Sequence, residues 1–400
     1  MQLLVKAVAL LFLISFAGAV APAAELYESH LNARALGMGG AYNSVVDDEE
    51  SLWFNPAGIA KNMGIHWTII DPKGGISSPG DLSTLKDLQN ASTFNTALAS
   101  LYGKEIWAGG GAKSAIILPF FAGAYYYDAN ASILADNPVN PTLSVNYVTD
   151  QGFALGTGFS IAQVLEMGFV TRYINRTGVR KDFGPAVISD IMAGTSKPST
   201  IFDNLNNKGT GYALDLGGNI TIPGPVKPTL SFVWKNMGNT TFRASTTGGT
   251  PPPSDDQDMQ VGASLLIDAW IIHILPAIEI REIMDSSVQL GNKMHLGVEL
   301  GVPLLDLRAG IYQGYATYGF GLNLGLLEIE GASWETELGG YPGQLGNRRY
   351  MVQATLRLGF DFLGGGSGGS KSGAGGAGGS AGSGGSGGSG GGSHHMKVRR

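Results

Sequence analysis

The sequence predicts an all-β fold, a transmembrane antiparallel β-barrel of about 14 strands with short helical insertions. Three observations predict it. Many segments alternate apolar and polar residues over lengths beyond a usual globular strand, charges fall on one face of those segments, and aromatics gather near their ends. A soluble β-sandwich or β-solenoid also alternates, but it needs neither strands of this length nor one charge-free face.

The segment Tyr350 to Phe362 alternates over thirteen residues. One face carries Tyr350, Val352, Ala354, Leu356, Leu358, Phe360 and Phe362, and the other carries Met351, Gln353, Thr355, Arg357, Gly359 and Asp361. The pattern recurs with Tyr212, Leu214, Leu216 and Ile220 opposite Asp215 and Asn219, and with Leu230, Phe232 and Trp234 opposite Lys235. Leu165, Met167, Phe169 and Tyr173 oppose Glu166 and Arg172 in the same way, as Leu296, Val298 and Leu300 oppose Glu299. A Lys or Arg on the lipid face at mid-bilayer costs about 2–4 kcal/mol, whereas a lumen can solvate or pair it. Strands are expected near 65–71, 114–128, 142–149, 151–162, 164–176, 210–222, 228–237, 259–268, 270–282, 294–302, 305–313, 315–323, 325–335 and 349–362.

Two segments read differently. Residues 81–102 place Leu82, Leu85, Leu88 and Ala91 at helical spacing, and 184–206 contain AVISDIM and TIFDNLNN, short helices in a long loop. Long excursions of this kind usually lie on the extracellular side of a barrel, and either can cap or plug the lumen.

The ends of the chain carry their own signals. Residues 1–23 combine Lys6, an apolar run from Ala7 to Val20 and the A-x-A pattern Ala21-Pro22-Ala23, a secretory signal peptide cut after Ala23 or Ala24. The apolar run is short for a membrane anchor. No later stretch is an uninterrupted spanning helix, because Asp268, His273 and Pro276 break the nearest candidate, Gly262 to Ile278. The chain has no cysteine, which excludes a disulfide-stapled secreted fold. Residues 364–400 are a Gly/Ser-rich flexible tail ending in HHMKVRR. Outside signal and tail, acids exceed bases by about 11, and no basic stripe with interleaved aromatics occurs, which argues against nucleic-acid binding.

The stretch GMGGAYNSVVDDEESLWFNPAG, Gly37 to Gly58, asks for a chemical reading. Its glycines Gly37, Gly39 and Gly40 are not followed by the Lys-Ser/Thr of a phosphate loop, and no βαβ unit supplies a dinucleotide fingerprint. The run Asp47-Asp48-Glu49-Glu50 lacks the alternating acids and sixth-position glycine of a calcium loop. Asp47 or Asp48 can instead cap a short helix through Leu52. Pro56 fixes its own φ and holds Asn55 extended. The histidines His30, His66, His273 and His295 are scattered without catalytic or metal spacing, and no G-x-S-x-G elbow occurs, so neither an enzyme nor a cofactor is expected.

Ala35 to Tyr42, then Asp47-Asp48, then Asn55-Pro56-Ala57-Gly58 resembles the N-terminal segment of the FadL/TodX outer-membrane transporter superfamily. The order of insertion and strands, with SAIILPFFAGAYYY, LEMGFVTRYINRTG and FVWKNMGNTTF, looks closest to its PorV-like/TraF-like branch. The resemblance implies that residues 24–64 are a hatch inside a barrel formed by 65–363. It makes Gly37, Gly39, Gly40, Asp47, Asp48, Asn55, Pro56 and Ala57 the ligand-binding or gating residues. In this setting the glycines allow close approach to the wall, and the acids can pair with Arg172, Arg308 or Arg357. The implied activity is passive uptake of hydrophobic small molecules such as long-chain fatty acids across the cell outer membrane. The alternative is a non-transporting barrel that binds a secretion-system or surface-attachment partner. Outer-membrane lipid and the barrel-assembly machinery, which reads a terminal aromatic such as Phe362, complete the implied partners.

Overall fold

The computed structural model describes residues 28–78, 80, 98–99, 101–136, 139–195, 207–269 and 271–361. The first half supplies β1 (Gly64–Ser77), β2 (Glu105–Leu118), β3 (Phe121–Asp136), β4 (Thr142–Ile161), β5 (Leu165–Phe183), β6 (Lys208–Thr221) and β7 (Val226–Lys235). A short β8 (Phe242–Ala244) precedes β9 (Asp258–Ala269), β10 (Ile272–Ile280), β11 (Met294–Val302), β12 (Leu305–Tyr312), β13 (Tyr315–Asn323), β14 (Leu327–Glu337) and β15 (Gly346–Asp361). Every neighbouring pair is antiparallel, and β1 pairs with β15, Gly64 opposite Asp361, so the sheet closes. β8 pairs only with the first residues of β6, Gly209 to Gly211, which leaves 14 strands as staves of the barrel. Closure removes the unpaired edges that an open sheet would present.

The strand count agrees with the sequence expectation, but two boundaries in it offset each other. Residues 114–128 form the end of β2 and the start of β3, joined by the turn Pro119-Phe120. No Gly or Asn marks that turn, and Phe120 itself takes a φ of 69°. Conversely, 142–149 and 151–162 are one 20-residue strand, β4. The polar Thr149-Asp150-Gln151 does not break it, because Asp150 turns into the lumen and meets Arg176 at 2.6 Å.

Alternation then sorts every side chain. The outer face carries Trp67, Phe153, Leu155, Met167, Phe169, Leu216, Leu230, Phe232, Leu296, Val298, Leu300, Phe320 and Val352, all exposed. The inner face carries Glu166, Arg172, Asp215, Asn219, Glu279, Glu299, Arg308 and Gln353, all buried. An apolar band facing outward and a polar interior is the inversion that lipid as solvent requires. No helix among the described residues is long and apolar enough to cross a membrane.

One end of the barrel has only short turns, at 119–120, 162–164, 222–225, 270–271, 303–304 and 324–326. The other end has the long connections 78–104, 184–207, 236–257 and 281–293. The helix Pro185–Met192 and residues Leu98 and Leu101 do not cap the lumen. They pack with Ile106, Leu143, Val145 and Phe183, side chains on the outer face of β2, β4 and β5 at the long-loop end. The remainder of the expected insertion helices, and Phe362, lie outside the described residues.

Candidate functional site

Residues 28–62, ahead of β1, run through the lumen. From Ala35 to Ala60 every residue is buried except Asp47 and Asp48, which are half-buried. The path runs from the long-loop end, where Glu28 accepts from Arg281 (2.5 Å) and Tyr312 (2.8 Å), to Asn62 and Gly64 at the short-turn end. Three short helices shape it, Ala33–Gly37, Glu49–Leu52 and Pro56–Lys61. Each is capped locally: Asn32 accepts from Ala35 N, Asp48 from Glu50 N and Asn55 from Ala57 N. Such caps satisfy backbone donors that no continuous sheet is available to satisfy.

The segment reaches the wall on all sides. Ala33 N donates to Gln353 of β15, and the backbone N–H groups of Tyr42 and Asn43 both donate to Glu279 of β10 at 2.9 and 2.7 Å. Arg34 forks onto Glu299 of β11 with two bonds of 2.8 Å, and Arg308 of β12 shares that carboxylate at 2.6 Å. On the opposite side His30 lies 2.8 Å from both Glu50 and Asp128 and stacks on Trp53 at 4.3 Å. Lys113 of β2 donates to Glu50 (2.5 Å) and to Asp71.

The residues singled out in sequence take distinct places. Gly37 ends the first helix, its carbonyl accepts from Thr317 of β13, and its Cα faces Gly319 so closely that an added Cβ would sit 3.0 Å from it. Gly39 and Gly40 both have positive φ, 65° and 81°, and their carbonyls meet His295 and Arg281. Asp47 stands 3.9 Å from Arg34, and Asp48 caps the second helix 3.8 Å from Arg357. Asn55 donates to Asn43 O and to Asn219 of β6, Pro56 abuts Gly168 and Gly217, and Ala57 is fully buried. Of the three arginines expected to meet the acidic run, only Arg357 does so, holding Glu49 at 2.9 Å; Arg172 pairs with Asp215, and Arg308 with Glu299 and Glu330. His30, Arg34 and Glu50 carry much of the contact and were not among the ligand-binding or gating residues the resemblance implied. Their only signal was polarity in a segment that proves buried, and burial itself is a tertiary fact.

The inner wall is zoned. Toward the short turns, Ala115 and Ile117 of β2, Ala122 and Ala124 of β3, Ala154 of β4 and Val170 of β5 form an apolar strip. Leu52, Trp53, Phe54 and Ile59 of the segment cover it. Toward the long loops the same strands carry Lys113, Asp128, Asp150, Arg172 and Arg176. Between Ser29, Leu31, Lys73, Asp128 and Asn130 lies a cavity of about 10 Å³, room for one water molecule.

A closed 14-stranded barrel with a lipid-facing belt and a structured segment across its lumen defines the class, a transmembrane β-barrel. No family model matches the chain, and no curated protein matches it. Among solved structures it is similar to the "TodX deltaS2S3 mutant monoaromatic hydrocarbon channel", with 10% identity, 83% of this chain and 99% of that chain covered, and a TM-score of 0.45. It is similar to the "CymD monoaromatic hydrocarbon channel" with 9% identity, coverages of 86% and 98%, and a TM-score of 0.45. The Ralstonia pickettii toluene transporter TbuX follows with 12% identity, coverages of 84% and 99%, and a TM-score of 0.40.

Proposed function

We propose that the protein is an outer-membrane channel for hydrophobic small molecules, long-chain fatty acids among them, and that residues 28–62 are its hatch. The observation that carries this reading is the apolar strip of the inner wall, from Ala115 to Val170, which lies under Leu52, Trp53, Phe54 and Ile59 of the segment and is joined by Leu275 and Ala277 of β10. The strip seats the apolar side chains of the segment, and once the segment moves aside it offers a hydrophobic solute an apolar surface inside the barrel. Beside this apolar packing, buried ion pairs such as Arg34 with Glu299 and His30 with Asp128 hold the segment. Their desolvation cost offsets much of their attraction, so they fix register without adding much net stability. Asn55, Pro56 and Ala57 anchor the end nearest the strip, and Gly37, Gly39, Gly40, Asp47 and Asp48 let the rest seat closely. Nothing in this reading requires catalysis. Its partners are bilayer lipid, the solute and the barrel-assembly machinery that inserts the chain.

Uptake of labelled fatty acids and aromatic hydrocarbons into liposomes tests it, comparing the wild type, Asn55→Ala and a chain lacking 28–62. Faster uptake by both variants is expected. Uptake equal to empty liposomes for all three would end the transport reading. That outcome would favour the second reading, a barrel of the PorV-like kind that binds a secretion or surface-attachment partner, for which the filled lumen speaks.

A further inference from the structure

We propose that the short-turn rim of the barrel is itself a lipid-embedded surface, sunk into the acyl–headgroup boundary of its leaflet rather than standing in water. The inference rests on the membrane barrel alone and not on the transport reading.

None of the six short turns contains Asp, Glu, Lys or Arg; they read PF, AQV, IPGP, WI, PL and LGL. Five of the six expose a large apolar side chain at the tip: Phe120, Ile222, Ile271, Leu304, and the pair Leu324 and Leu326. A turn in water selects Gly, Asn, Asp or Ser for its φ and its solvation. Here Phe120 and Leu304 occupy left-handed conformations, φ 69° and 72°, where a bulky side chain is strained. Transfer of that side chain into hydrocarbon offsets the strain, since burying a Leu or Phe is worth about 1.5–3 kcal/mol.

Strand length points the same way. β10, β11 and β13 have nine residues each and β12 has eight. Nine residues at about 3.4 Å each, tilted by about 40°, reach about 23 Å, short of a ~25 Å apolar band. At the other end Arg281 and Glu282 follow β10, Lys293 precedes β11 and the polar Gln313-Gly314 joins β12 to β13, so the band does not extend directly beyond these strands there. It can be completed at the turns, because the outer-face residues Ile272, Val302, Leu322 and Leu327 run without a charge into Ile271, Leu304, Leu324 and Leu326. The occupant is therefore lipid, continuous with the belt, and not a periplasmic protein.

The chain has no cysteine, so single reporters can be placed at will. Leu304→Cys and Ile222→Cys, in the full chain and labelled with bimane, are reconstituted in phosphatidylcholine vesicles with and without brominated acyl chains. Val139→Cys, 94% exposed in the connection between β3 and β4, is the water reference. Both turn labels should emit to the blue of the Val139 label and lose most of their intensity in brominated lipid, while the reference loses little. If Leu304→Cys does not assemble, shown by absent heat-modifiable mobility, Ile222→Cys decides alone. Turn labels that emit and resist quenching as the Val139 label does would overturn the proposal, and would leave the rim free for water or a docking protein.

Discussion

The side-chain amide of Asn55 donates to Oδ1 of Asn219 on the barrel wall at 2.7 Å and to the carbonyl of Asn43 at 2.8 Å, while its own Oδ1 accepts from Ala57 N at 3.0 Å. One side chain thus caps a helix, pins the middle of the segment and ties both to β6. Asn55→Ala removes the cap and leaves Asn219 without that partner, a combined loss of about 2–3 kcal/mol. Residues 43–61 should then exchange amide hydrogens faster while the barrel keeps its heat-modifiable mobility. Asn55→Asp retains the cap acceptor and should fall between the two; unchanged protection in both variants would contradict the anchor role.

Gly39 is the tightest seat of the segment. A Cβ there would lie 2.3 Å from Leu296 O and 2.6 Å from Ile311 N, at a φ of 65°. Gly343, in the connection after β14, has a φ of 83° but nothing within 4 Å. Gly39→Ala should therefore cost more than the ~1–2 kcal/mol of left-handed strain alone, and Gly343→Ala about that strain only. Denaturant midpoints in detergent separate the two; equal shifts would mean that the wall yields.

Arg176 is fully buried with Nη2 2.6 Å from both Asp150 and Asp255, and Phe242 lies 4.4 Å from its guanidinium. Asp255 belongs to the loop 236–257, so this arginine fastens that loop to β4 and β5. Asp255→Asn should speed hydrogen exchange within 236–257 and leave β4 and β5 unchanged. Arg176→Met strands Asp150, leaves Asp255 with Arg180 at 3.2 Å, and should cost more, about 3–5 kcal/mol. The reverse order of severity, read from denaturation midpoints, would refute the assignment.

In the loop 281–293, burial and the nearby carboxylates of Asp258 and Asp285 push the carboxyl of Glu282 up to about 7. The ordinary value for a glutamate is about 4.3. Below that value Glu282 is protonated whether the loop is ordered or not. Between the two values the ordered loop favours the neutral acid, so order is lost progressively as pH rises toward 7. A nitroxide at Ser286 should grow more mobile from pH 5 to pH 8, and Glu282→Gln should flatten that dependence. A flat profile in the parent chain would dispose of the prediction.

The sequence by itself determined the barrel and the face of residues in the strands it bounded correctly. Alternation is a local property of an extended chain, and lipid allows no charge on the outer face, so Glu166, Arg172 and Asp215 could be placed inward from their neighbours alone. The cap at Asp48 and the hold on Asn55 were legible for the same reason, since both act within a few residues. Turns were less legible where their chemistry was unusual, as at Pro119-Phe120, where an apolar residue stands in for glycine. Only the tertiary structure decided the partners across the lumen. Arg34 finds Glu299 across 265 positions of sequence and Arg357 finds Glu49 across 308, through a register that accumulates strand by strand around the barrel. Pairings of that kind follow from closure, and no local pattern of residues encodes them.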